Sequence, residues 1–137
     1  MNDFLSSLKI AASGLTAQTA RMRVIAENIA NADSAGKTPT DQPYRRRIPT
    51  FQTELDPQTG DEGVKVGNVA LDMSDFETRY EPGHPAADPN GYVKYPNVDP
   101  LVEAVDMREA QRTYEANLNV VTVTKQMLSR TLDILKG

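Results

Sequence analysis

The 137-residue chain has no cysteine and no tryptophan, and its single histidine is His84. Without cysteine there are no disulfides, thiolate metal sites or cysteine nucleophiles. One histidine is a poor start for a catalytic zinc, which takes about three protein ligands. A general base needs an orienting partner within hydrogen-bond reach. His84 lies between Gly83 and Pro85 and reads as a turn residue. The phosphate-cradling GxxxxGK[ST] and GxGxxG runs are missing, as is a G-x-S-x-G elbow. Asp72, Asp75 and Glu77 lack the twelve-residue pattern and central glycine of a calcium loop. No catalytic, cofactor or metal assignment survives, and the chain reads as a non-enzyme.

Apolar residues are also scarce, at 39%, with a mean hydropathy of −0.51. That is below the roughly 45–50% usual for soluble globular chains, so they must be concentrated if they are to hold the chain together. No stretch approaches the ~20 apolar residues of a membrane span, and no direct membrane insertion is expected. The first nine residues lack the basic and unbroken apolar regions of a cleavable secretory signal. The net charge of −4 argues against a nucleic-acid partner, because phosphate neutralisation supplies much of such affinity. The one dense basic run, Arg45-Arg46-Arg47, reads as a solvated loop or strand edge.

Proline and glycine are missing from particular places. Residues 3–31 contain no proline and only Gly14, and residues 101–136 contain neither. Eight of nine prolines and six of eight glycines lie between 36 and 98. Proline removes a backbone donor and clashes inside a helix, so the partition predicts a helix, an irregular middle and a second helix. The expected domains are 1–32, 33–98 and 99–137. The expected fold is mainly α with a small β and irregular middle, its long terminal helices forming a coiled-coil-like pair.

The first helix carries Leu8, Ala11, Leu15, Gln18, Met22, Ile25 and Ile29 at alternating spacings of three and four. That is the seam of a supercoiling helix, with Gln18 as a register-setting polar position. Small Ala12, Thr19 and Ala26 beside it would let another helix approach closely. The last helix opens with Asp99 as cap and Pro100 in the first turn. Its seam is Met107, Ala110, Tyr114, Asn117, Val121, Thr124, Leu128, Thr131 and Leu135, widened by Leu118 and Leu132. Two seams this long make a thin core for one molecule, which favours further helices from other chains. The middle predicts two to four short strands. Val64, Val66, Val69 and Leu71 form one, bulged at Gly67, and others lie at Thr78–Tyr80 and Tyr92–Tyr95, between Asp-Pro and Pro-Gly turns.

Four stretches carry a family resemblance. Residues 24–32, VIAENIANA, resemble the N-[IL]-A-N signature that ends the first helix of flagellar rod and hook proteins. Pro43-Tyr44-Arg45-Arg46-Arg47 is similar to the GPYRR element that comes after it in one branch. Residues 80–98, YEPGHPAADPNGYVKYPNV, resemble a long block of the proximal-rod FlgC family. Tyr114-Glu115-Ala116-Asn117 resembles the YEAN of that family's last helix. The resemblance spans nearly the whole chain.

It implies a structural subunit of the flagellar basal-body rod, exported by the flagellar type III system without a cleavable signal. The terminal helices would pack into the periplasm-spanning tube that transmits motor torque. The implied partners are copies of the chain and other rod proteins, with proteins of the MS ring and the export-gate region as further candidates. On this reading the seams assemble the tube through Leu8, Leu15, Met22, Ile25 and Ile29, and through Tyr114, Asn117, Leu118, Val121, Leu128, Leu132 and Leu135. The alternative for the same residues is a core within one molecule. Asn28 and Asn31 either cap the helix end or bond a neighbouring subunit. A helical adaptor or export chaperone using the same seams is the competing reading, and a cell-wall hydrolase would need paired carboxylates that the sequence does not offer.

Overall fold

A computed structural model describes residues 2–137. Helix α1 runs Asn2–Ala30 and helix α2 Pro100–Lys136. Between them lie β1 (Arg47–Ile48), β2 (Phe51–Leu55), β3 (Glu62–Val66), β4 (Ala70–Leu71), β5 (Glu77–Tyr80) and β6 (Tyr92–Tyr95). The chain is thus mainly helical, with three small antiparallel ladders, β1–β4, β2–β3 and β5–β6.

Both helix boundaries have local causes. At the start of α2 the Asp99 carboxylate accepts from the Leu101 N–H at 3.0 Å, and Pro100 occupies the first helical position. At the end of α1, Asn31 donates from its side chain to the Glu27 carbonyl at 2.9 Å, and its own carbonyl accepts from the Ser34 N–H at 3.1 Å. Both bonds satisfy groups that a helix end leaves open.

The chain divides into two compact units, and the division crosses the three sequence segments. Unit 1 comprises α1 as far as Met22, Thr50–Asn68 and Arg108–Gly137. Ladder β2–β3 is its hairpin, with five paired positions. Ser6 donates to Asp61 at 2.8 Å, and the Ser13 hydroxyl accepts from the Val64 N–H at 3.1 Å, which ties the hairpin to α1. One residue along α1, a Cβ at Gly14 would lie 2.7 Å from the Asn117 side-chain nitrogen. Glycine there lets α2 come close. Arg21 pairs with Glu109 at 3.6 Å.

Unit 2 comprises Arg23–Pro49 and Val69–Met107. Its apolar core is Ala86, Val93 and Tyr95, with Ala35 and Ala87 packed against it. The turn Asp88-Pro89-Asn90-Gly91 closes beside it. The Asp88 carboxylate accepts from Asn90 and Tyr92 N–H groups, each at 2.9 Å. Gly91 sits at φ +90°, where a Cβ would also lie 2.9 Å from the Tyr80 ring. His84 is a turn residue, its Nδ1 accepting from the Ala86 N–H at 2.9 Å.

One expectation changes. The run from Val64 to Leu71 is not one bulged strand. β3 stops at Val66, the Gly67 N–H donates to the Thr50 carbonyl at 2.7 Å, and β4 starts at Ala70 with a different partner. Within the chain the small residues of α1 that are packed closely are Ala11 and Ala17, both buried, and Gly14, while Ala12, Thr19 and Ala26 stay exposed and open to another helix.

Candidate functional site

Three of the four stretches that carry the family resemblance, residues 24–32, 43–47 and 80–98, lie in unit 2. Asn28, fully buried on α1, uses all of its side-chain amide. Its nitrogen donates to the Arg47 carbonyl at 2.8 Å and to Glu103 Oε2 at 3.3 Å. Its oxygen accepts from the Arg47 N–H at 3.0 Å and the Tyr44 hydroxyl at 2.7 Å. Towards residue 47 the amide behaves as one more peptide of a strand, taking both backbone groups of a single residue. Burial is the main reason that the Tyr44 phenol titrates above its ordinary range, which keeps it a donor.

Arg46 is the hub of the charges. Its Nε donates to Glu103 Oε1 in a short ion pair. Its terminal nitrogens lie 3.3 Å from Asp72 and 3.7 Å from Asp106. Its titration is raised, first by the hydrogen bond to Glu103. Glu103 sits in the first turn of α2 and is 1% exposed. A charge so placed is costly unless paired and hydrogen-bonded, and Arg46 and Asn28 supply both conditions.

Asn97 completes the clasp. Its Oδ1 accepts from the Arg46 N–H at 2.8 Å, and its Nδ2 donates to the carbonyls of Asp72 at 2.8 Å and Ser74 at 3.2 Å. Arg45 donates to the same two carbonyls and lies 4.1 Å over the Phe76 ring. The Asp72 carboxylate is held below its usual range, first by the Ser74 N–H. No buried side-chain nitrogen or oxygen is left without a partner among the described residues.

This arrangement is a clasp. It locks α1, residues 44–47, residues 72–74 and the start of α2 together by directional bonds. Arg46 is therefore not part of a solvated run. It stands between three carboxylates, two of them on α2. Asn28 is neither a cap nor a free surface group: its whole hydrogen-bonding capacity is spent inside the chain. Asn31 sits at the helix end, where its bonds close the last turn. No helix is long and apolar enough to cross a membrane, and no cluster of metal-ligating groups is present among the described residues.

The seam positions divide. On α2, Ala110 and Thr124 are buried, Met107, Tyr114, Asn117, Val121, Leu128 and Thr131 are half-buried, and Leu118, Leu132 and Leu135 are exposed. On α1, Ile25 is buried, Leu8, Leu15 and Met22 are half-buried and Ile29 is exposed. The deepest line on α1 is Gly14, Ala17, Arg21, Val24 and Asn28. It has the same three-and-four spacing, one residue earlier. Apolar periodicity missed its phase because glycine, alanine and two polar residues make up four of its five positions.

Comparison with known proteins gives the kinship of this arrangement. The family described as "Flagella basal body rod protein" matches residues 8–36, and the one described as "Flagellar basal body rod FlgEFG protein C-terminal" matches residues 90–134. A flagellar basal-body rod protein FlgC of Agrobacterium fabrum is 51% identical over all of this chain and 99% of its own. The Salmonella typhimurium protein of that name is 44% identical over 95% of this chain and 96% of its own. The Bacillus subtilis one is 40% identical over 95% and 97%. Identity of this extent, running from the α1 signature through the clasp into α2, means that the chain belongs to the FlgC family of flagellar basal-body rod proteins.

Proposed function

We propose that this chain, a structural rod subunit of the flagellar basal body, is built into the rod by laying its helix seams against neighbouring subunits. The observation that carries the proposal is the poor burial of α2. In a helix of 37 residues, about 55 Å long, the buried residues are Glu103, Ala110 and Thr124, two of them polar. Leu118, Leu132 and Leu135 stay exposed, as do Val123, Met127 and Ile134. A helix gains most of its stability by packing an apolar face, and this one has faces left to pack.

The assembly positions are therefore Leu118, Leu132 and Leu135, with Leu128, Val121 and Tyr114 at the margin of the seam. On α1 they are Leu8, Leu15, Met22 and Ile29. These α1 residues lie one position beyond the buried line and are turned partly outward. Ile25 and Asn117 serve the chain's own packing, and so does Asn28. Neighbours would be copies of the chain and other rod proteins, with the ring and export-gate regions next to them. The terminal helices order fully only on assembly, which suits passage through an export channel and then service in a tube crossing the periplasm. Many interdigitated helices carry torque, because close-packed side chains transmit strain with little compression.

The test is an in-frame deletion scored by electron microscopy of basal bodies and by swimming. Rings without a completed rod, rescued by the wild-type gene but not by Leu128→Asp, are the expected result. Complete rods and normal swimming in the deletion strain would refute the proposal.

A further inference from the structure

The β2–β3 hairpin keeps large apolar side chains at its surface. Its register pairs Phe51 with Val66, Thr53 with Val64 and Leu55 with Glu62, so these residues share one face. Gln52, Glu54, Gly63 and Lys65 share the other. Gly63, on the second face, meets the unit's own helix. A Cβ at Gly63 would lie 2.9 Å from the Ser13 hydroxyl on α1. On the apolar face Phe51, Val64 and Leu55 are exposed, Leu55 at 59%, and Val66 is half-buried. A register slip of one residue would reverse the faces, yet five paired positions hold the outward arrangement. Exposed apolar rows of this kind mark contact surfaces.

A second outward row runs along α2 in the same unit. Val120, Val123, Met127 and Ile134 are exposed, Ile134 at 79%, and Arg130 occupies the remaining step of the three-and-four spacing. At 3.6 residues per turn the row lies about a third of a turn from the seam of Val121, Thr124 and Leu128, so one helix carries two separate faces. The two outward surfaces differ in charge. The hairpin, residues 51–66, contains Glu54, Asp56, Asp61 and Glu62 against Lys65, with Asp56 also paired to Lys9, whereas residues 116–137 contain Lys125, Arg130 and Lys136 against Asp133.

We infer that the outward face of the β2–β3 hairpin docks on the Val123–Met127–Ile134 row of α2 in a second copy of this chain. Charge complementarity selects that occupant. Glu62 stands in the apolar face opposite Leu55, and Arg130 stands in the helix row, so apolar contact and ion pairing coincide. The two surfaces are different patches, which makes the contact head-to-tail. Repetition of such a contact generates rings or helical tubes and not closed dimers. It is a small contact, well below the ~1,000 Å² of a stable isolated interface. It therefore adds strength where many copies are already aligned, and leaves free subunits apart. The inference rests on the rod reading above and adds a second, hairpin-to-helix contact to the seams.

The absence of cysteine permits a direct test. Two single-cysteine versions, Leu55→Cys and Met127→Cys, are co-expressed in the deletion strain, and basal bodies are isolated under mild oxidation. A disulfide dimer that needs both versions, and that neither forms alone, is the expected result. Arg130→Glu should remove the dimer and swimming, and added Glu62→Arg should restore both. Both positions are exposed, and unchanged far-ultraviolet circular dichroism of the purified variants shows that folding is intact. Basal bodies that contain the chain but no 55–127 dimer overturn the hairpin contact and leave the rod reading standing. A cross-link to a different rod protein overturns the choice of a second copy. Basal bodies that lack the chain altogether overturn the rod reading and this inference with it.

Discussion

The two units solve the same problem in opposite ways. Unit 2 keeps its strongest bonds inside. Arg46, Glu103, Asn28, Tyr44 and Asn97 satisfy one another beneath the surface, and Val93, with no exposed area, anchors the small apolar core. Unit 1 buries alanines, Ala11, Ala17 and Ala110, and holds Phe51, Leu55, Val123 and Met127 at the surface. Unit 2 also holds large apolar groups at its surface, Met73 and Leu101 among them. The contrast therefore lies in what each unit buries, a mutually bonded polar clasp in unit 2 and small alanines in unit 1.

Breaking the hub should show this most strongly. Arg46→Ala leaves Glu103 buried without its counter-ion, which costs about 3–5 kcal/mol. Urea unfolding followed by circular dichroism should show the loss, and a loss under ~1 kcal/mol would mean that the clasp is ornamental. Val93→Ala removes two buried methyl groups, for about 2 kcal/mol with the cavity included, readable in the same titration. Asp99→Ala removes the α2 cap and should cost about 1 kcal/mol, seen as a lowered thermal midpoint.

The pH prediction is smaller. Because the folded-state titration of Asp72 is depressed, its contribution is present above the ordinary carboxylate value of about 3.9. It is lost as pH falls through the depressed value. Urea midpoints measured from pH 7 down to pH 3 should fall less in Asp72→Asn than in the parent chain. Equal slopes would remove Asp72 from the acid response.

The parts of this architecture that were legible in the sequence are those written in strong local signals. The missing prolines and glycines outlined both helices, and Asp99-Pro100 marked the start of α2 to the residue. Tyr92–Tyr95 and Thr78–Tyr80 appeared as strands β6 and β5. Strand β2 was missed although Phe51, Thr53 and Leu55 alternate ahead of the Asp56-Pro57 turn, because the apolar residues there are few. β1, with two residues, is below what periodicity detects. The clasp was illegible for a deeper reason. It joins residues 28, 46, 72, 97 and 103, and pairing between distant polar groups leaves no periodic trace. Asn28, Arg46 and Asn97 were visible only inside separate stretches of family resemblance, and Asp72 and Glu103 in none of them.

The span of the clasp has a consequence for the newborn chain. Arg46 and its buried partner Glu103 are 57 residues apart. At synthesis rates of about 5–20 residues per second, about 3–11 s separate their appearance. During that interval the Arg46 guanidinium has no carboxylate of α2 to bind, and the first helix is not yet fastened to the second. Each molecule is therefore loose through most of its own synthesis and tightens only when the opening turn of α2 arrives.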